Sequence, residues 1–132
     1  MDTHQKDKKY YANQRPEMLQ FIPIAANKIL EVGCGEGNFG AQLLHKDKEI
    51  WGIEPFEASA KKAKETLNKV LVGTIDEKID EIPDNYFDVI ILNDVLEHLL
   101  EPWDDISKLK SKLSKNGVIV TSIPNVRYSK NL

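Results

Sequence analysis

The stretch ILEVGCGEGNFG, residues 29–40, places Gly33, Gly35, Gly37 and Gly40 within eight positions directly after an apolar run. Glycine at that density suits a backbone that must take positive φ and let a ligand touch the main chain. A mere tight turn needs one or two. A phosphate-binding loop would close on Gly-Lys-Ser or Gly-Lys-Thr, and this one has neither. Gly35-Glu36-Gly37-Asn38-Phe39-Gly40 does match G-x-G-x-x-G, and Glu54 follows about twenty residues later, as in a dinucleotide fingerprint. In that register Glu36 stands among amides meant for a pyrophosphate, where a carboxylate repels the ligand. A ligand with a cationic centre and an amino-acid zwitterion reverses the sign. Glu31 and the strand-end carbonyls suit the cations, and the loop amides suit a carboxylate.

A second acid, Glu54, ends the run WGIEPF. At the carboxyl end of a strand it faces the crevice and is able to accept hydrogen bonds from both hydroxyls of a ribose. Pro55 and Phe56 come next, and the Phe56 ring either covers a heteroaromatic base or simply packs. Asn93-Asp94 ends a later apolar run at the same sheet edge, with its backbone in reach of an amine. Asp94-Val95-Leu96-Glu97-His98 then brings polar groups to where a second substrate would enter. His98 titrates near neutrality and is the candidate base, with a capping or packing histidine as the alternative. Asp94, Glu97 and His98 have no second histidine nearby, so no metal is expected. His4 and His45 read as solvated.

Those side chains require strands that end level with one another. Lys28–Val32, Glu49–Ile53, Lys69–Val72, Phe87–Leu92 and Val118–Ser122 read as five strands. Helices fall between them: one through Phe39, Leu43 and Leu44, one from Glu57 to Leu67, and one from Pro102 through Trp103, Ile106, Leu109 and Leu113, closed by Asn116-Gly117. A further helix runs from Pro16 through Met18, Leu19, Phe21 and Ile22 to Pro23. Alternation at this spacing predicts an α/β fold, a Rossmann-like doubly wound parallel sheet. Residues 1–9, polar and lysine-rich, read as a disordered arm, and 10–132 as one domain.

Bulk properties narrow the classes. A chain of 132 residues, 41% hydrophobic and 30% charged with a formal charge of −3, suits one soluble domain and disfavours nucleic acid as an obligatory partner. The apolar runs Phe21–Ala26 and Phe87–Leu92 are too short to span a bilayer, and no secretory leader opens the chain, so a cytoplasmic protein is expected. The lone Cys34 reads as a small packing residue in a reducing compartment.

Taken together, ILEVGCGEGNFG, EIWGIEPF, NYFDVIILNDVLEHLLEPW and NGVIVTSIPNVRY resemble, in order and spacing, the motifs of class I S-adenosylmethionine-dependent methyltransferases. The resemblance is to the small-molecule branch similar to ubiquinone-biosynthesis O-methyltransferases, and it covers roughly residues 10–128. It implies strand order 3-2-1-4-5, S-adenosylmethionine as cofactor with S-adenosylhomocysteine as product, and a small-molecule acceptor, a sugar or a phenol, methylated on oxygen or nitrogen. It implies cofactor contacts from Glu31, Gly33, Cys34, Gly35, Gly37, Asn38, Phe39, Glu54, Pro55, Phe56, Gly73, Thr74, Ile75, Asn93 and Asp94. Tyr11 and Arg15 in YYANQRPEML would lie over the cofactor, Arg15 near its carboxylate. His98 and Asp94 would serve catalysis. Two departures stand out: Gly73-Thr74 replaces the family's usual Gly-Asp, and the last two strands are lacking. The second leaves self-association through an exposed sheet edge as an expectation. A cofactor-binding module without chemistry and a nicotinamide-dependent oxidoreductase are the competing readings.

Overall fold

Runs such as Lys28–Val32 and Phe87–Asn93 carry apolar side chains at successive positions, which a strand buries only when both faces of its sheet are covered. The computed structural model, which describes residues 19–43, 47–93, 99 and 102–122, shows that arrangement. Strands β1 (Lys28–Val32), β2 (Glu49–Glu54), β3 (Lys69–Val72), β4 (Phe87–Asn93) and β5 (Leu113–Ser122) form one sheet in the order β3-β2-β1-β4-β5. All four pairings are parallel. The helices are α1 (Asn38–Ala41), α2 (Glu57–Ala63), α3 (Ile75–Lys78) and α4 (Pro102–Lys110).

Side chains alternate between two cores. Ile29, Ile50, Val70, Val89 and Ile91 meet Phe39 and Leu43 from α1 and the turn after it, and Ala60, Ala63 and Leu67 from α2 and its following turns. Leu30, Val32, Trp51, Ile53, Leu71, Ile90 and Leu92 meet Ile75, Ile82 and Leu109 on the other side. Ala60 and Ala63 are fully buried, so the small side chains let α2 lie close to the sheet. Phe87 anchors the second core, edge-on to Trp51 at 5.4 Å and to Tyr86 at 5.0 Å.

Register decides what reaches the site. Val32 lies opposite both Ile53 and Leu92, so β1, β2 and β4 end level at their carboxyl ends. At the other edge Asp88 ties the strands together. Its Oδ2 accepts the Asn27 and Lys28 amides at 2.9 and 3.0 Å, and its Oδ1 accepts the Ser114 hydroxyl at 3.0 Å. Burial alone would raise the Asp88 carboxyl. The two amides, the hydroxyl and the Lys28 charge outweigh it and hold the group below its ordinary value.

Three expectations need correction. The stripe from Trp103 to Leu113 is not one helix: α4 stops at Lys110, and Leu113 already pairs with Phe87 in β5. Asn116-Gly117 is therefore not a helix end but part of β5, where the register with β4 shifts between Phe87 and Val89. A Cβ on Gly117 would stand 2.6 Å from the Phe87 carbonyl oxygen, so glycine permits the close approach. The helix from Glu57 ends at Ala63 and continues to Leu67 only as turns. Of the segment from Pro16 to Pro23, the described part holds a single 3-10 turn, Leu19–Phe21, while residues 1–18, with Tyr11 and Arg15, lie outside the described residues. Among the described residues no helix is long and apolar enough to cross a membrane.

Candidate functional site at the carboxyl edge of the sheet

In a doubly wound sheet a ligand sits beyond the carboxyl ends of the strands, where the order reverses, here around β1 and its neighbours β2 and β4. The glycine loop leaves β1 at that point and is held from below. The Gly33 and Cys34 amides both donate to the Ile53 carbonyl, at 2.8 and 3.1 Å, and Gly37 donates to the Cys34 carbonyl at 2.9 Å. Gly35 donates to Glu54 Oε1 at 2.7 Å, while Phe56 donates to Glu54 Oε2 at 3.1 Å. Glu54 is 5% exposed, so a buried carboxylate closes the loop onto the end of β2. Four loop amides are thereby committed inside the protein, and a pyrophosphate would have to displace those bonds to use them.

The glycines divide by what surrounds them. At Gly35, φ +55°, nothing lies within 4 Å of where a Cβ would stand, so the main chain there borders open space. At Gly37, φ +89°, a Cβ would lie 3.1 Å from Ala63 Cα and 3.2 Å from Thr66 Oγ1, so this residue seats the loop on α2. Cys34 is fully buried and has the packing role expected of it: a Cβ on Gly52 would come within 2.5 Å of its sulfur.

The remaining acids are not arranged as the electrostatic argument supposed. Glu36 turns outward to Lys62 on α2, N to O 3.8 Å, and leaves the loop interior. Glu31 is fully buried beneath α1, its Oε1 3.5 Å from the point a Cβ on Gly40 would occupy. The discrimination against a diphosphate thus rests on the engaged amides and on Glu54.

Other expected contacts separate into backbone and side chain. Phe39 and Ile75 are core residues, at 0% and 3% exposure, and present only main chain to a ligand. Asn38 is exposed at the start of α1, and Pro55 and Phe56 are exposed after β2, with Phe56 at 73%. Phe56 borders Glu57 and Ala58, which with Lys61, Lys64 and Val72 line an open pocket of about 400 Å³ between α2 and the end of β3. Gly73, φ +153°, donates to the Glu54 carbonyl at 3.0 Å, which links the third strand end to the second. Asn93 ends β4 opposite Ser122. Asp94 and His98 lie outside the described residues. Among the described residues no group of three or more His, Cys, Asp or Glu is placed to hold a metal ion.

Thr74, a cofactor contact by the resemblance, also has a role in the fold. Its Oγ1 accepts the Glu77 amide at 3.3 Å and its own amide donates to Glu77 Oε1 at 2.8 Å, a capping box that starts α3. The signal Thr-x-x-Glu is present in the sequence at 74–77 and marks a helix that hydrophobic periodicity missed.

A parallel sheet of order 3-2-1-4-5, with a glycine loop after β1 and an acid ending β2, fits the class I S-adenosylmethionine-dependent methyltransferase fold. The chain belongs to the methyltransferase domain family, whose model matches residues 4–132. It is similar to a ubiquinone biosynthesis O-methyltransferase of Histophilus somni, 30% identical over 124 residues, covering 83% of this chain and 52% of that protein. It is also similar to a tRNA U34 carboxymethyltransferase of Citrifermentans bemidjiense, 30% identical over 105 residues, 74% of this chain and 32% of that protein. Among solved structures, a SAM dependent methyltransferase from Archaeoglobus fulgidus superposes with a TM-score of 0.76 at 24% identity, covering 88% of this chain and 54% of that one. The chain spans about half the length of the curated relatives it matches.

Proposed function

We propose that this chain binds S-adenosylmethionine and that the protein transfers its methyl group to an oxygen or nitrogen of a small molecule such as a sugar or a phenol. The observation that carries the reading is the Glu54 carboxylate. It is buried at the switch of the sheet and holds the Gly35 amide at 2.7 Å, beside main chain that faces open space. An ionised carboxylate has about four acceptor positions, and two are taken by amides, which leaves acceptors for a pair of ribose hydroxyls.

In this reading Gly33, Cys34, Gly35 and Gly37, their amides engaged inside the protein, offer carbonyl oxygens to the amino-acid portion, and Asn38 and Phe39 offer main chain. Pro55 and Phe56 cover the base, Gly73, Thr74 and Ile75 border it, and Asn93 and Asp94 meet the amine. Glu31, a cofactor contact by the resemblance to the family, is buried beneath α1. Tyr11 and Arg15 close the cofactor from outside, by the resemblance to the family. The bound cofactor supplies a methyl group already activated on a sulfonium. The protein's part is alignment, which is able to contribute up to roughly 7 to 11 kcal/mol to such a reaction. His98 takes the proton of an acceptor hydroxyl, and Asp94 serves catalysis with it, by the resemblance to the family. The single buried cysteine supports a cytoplasmic setting.

Side-by-side titrations with S-adenosylhomocysteine and NADH test the cofactor. Stabilisation by the thioether alone supports the proposal, because a ligand raises the melting temperature only by binding the native state. Stabilisation by NADH alone overturns it. Methyl transfer from labelled cofactor, with phenols, sugars and unmodified tRNA as competing acceptors, tests the substrate class. Label appearing only in tRNA rules out the small-molecule assignment.

A further inference from the structure

The sheet ends at β3, and α2, the crossover helix that leads into it, buries Ala60 and Ala63 against the strands. Beside that buried stripe, Glu57, Lys61 and Lys64 recur at helical spacing and share one side of α2 and its last turn. With Ala58 and the half-buried Val72 at the end of β3 they line the open pocket of about 400 Å³. That volume falls in the range of small-molecule sites. None of the five residues is assigned to the cofactor. The other lysines near this edge are engaged: Lys62 pairs with Glu36 at 3.8 Å, Lys78 with Glu81 at 3.0 Å, and Lys108 with Asp76 and Asp104. Among the described residues no carboxylate pairs with Lys61 or Lys64. Even Glu57, one helical turn before Lys61, forms no ion pair with it. Two ammoniums against one carboxylate make the pocket net positive in a chain whose formal charge is −3.

We propose that this pocket binds a phosphate monoester carried on a hydroxylated ring, a sugar monophosphate in chemical class. Lys61 and Lys64 take the phosphate, each ammonium offering three donors to its oxygens. Glu57, an acceptor only, takes a hydroxyl of the ring. Ala58 and Val72 meet the C–H face of the ring, which a sugar presents and a bare anion lacks. The carboxylate also sets the limit on charge: a second phosphate brought beside Glu57 is repelled where a hydroxyl is held. A single phosphate with a neutral polar body therefore suits the lining better than a polyphosphate does. The proposal stands on the pocket and its charges and does not rest on the cofactor assignment.

Titration of the whole chain with glucose 6-phosphate, glucose and inorganic phosphate, followed by amide NMR shifts, tests the site. Each titration is repeated with S-adenosylhomocysteine present. Glucose 6-phosphate is expected to shift residues 57–64 and Val72 to saturation with or without the thioether, and to bind about fivefold or more tightly than either other probe. The double variant Lys61→Gln, Lys64→Gln changes two exposed side chains, so its melting temperature should match the wild type. Its affinity for glucose 6-phosphate should fall about tenfold, and added salt should weaken the wild-type complex in the same direction. Equal affinity for the three probes, shifts confined to the glycine loop, displacement by S-adenosylhomocysteine, or unchanged affinity in the double variant would each overturn the proposal.

Discussion

Glu54 carries two tasks on one carboxylate. Both oxygens already accept main-chain amides, from Gly35 and Phe56, so the acid shapes the glycine loop before any ligand arrives. The sequence pointed to Glu54 because an acid ends an apolar run about twenty residues after the loop. It could not show the loop contact, which depends on β1 and β2 ending level. Glutamine keeps the shape but offers one oxygen, and its amide nitrogen then faces a backbone N–H, donor to donor. A charged hydrogen bond of this kind is worth about 1.5 to 3 kcal/mol. Glu54→Gln is therefore expected to weaken S-adenosylhomocysteine binding by about tenfold or more, read by calorimetric titration. Unchanged affinity would take Glu54 out of the binding site.

At the scale of the element, the loop separates a glycine that borders open space from one packed against the fold. Gly35→Ala places a methyl in open space at φ +55°, a left-handed angle that costs an alanine about 1 to 2 kcal/mol. The variant should fold, melt a few degrees lower and bind S-adenosylhomocysteine poorly. Gly37→Ala adds a 3.1 Å contact with the α2 backbone at φ +89°, and it should lose substantially more stability. Equal melting temperatures for the two variants would show that the loop is not seated on α2. The strands were legible because parallel strands buried on both faces leave apolar runs, as in Val89–Leu92. The end of α4 was not. Leu113 fits a helical stripe as well as a strand, and only its pairing with Phe87 decides between them. The start of α3 was written in Thr74 and Glu77, two polar residues that a search for apolar periodicity passes over.

Across the whole molecule, the alignment of strand ends at the site depends on how the strands start. Asp88 collects amides from the approach to β1 and a hydroxyl from β5, and it sits in β4, so one side chain sets the relative level of three neighbouring strands. Nothing in the sequence marked it, since a lone aspartate inside an apolar run gives no indication of its partners. Its carboxyl is held below its ordinary value. A depressed carboxyl gives stability that is present above its unfolded value and lost as pH falls through its folded value. Asp88→Asn keeps one acceptor oxygen and loses the charge, so it should cost about 1 to 3 kcal/mol at neutral pH. Many carboxylates contribute to acid unfolding, but the difference between variant and wild type isolates this one. Melting temperatures from pH 3 to 8 should show that difference shrinking as the solution is acidified. A difference that stays constant across the range would mean that Asp88 holds the strand starts by packing alone, and that the level of the site is set elsewhere in the sheet.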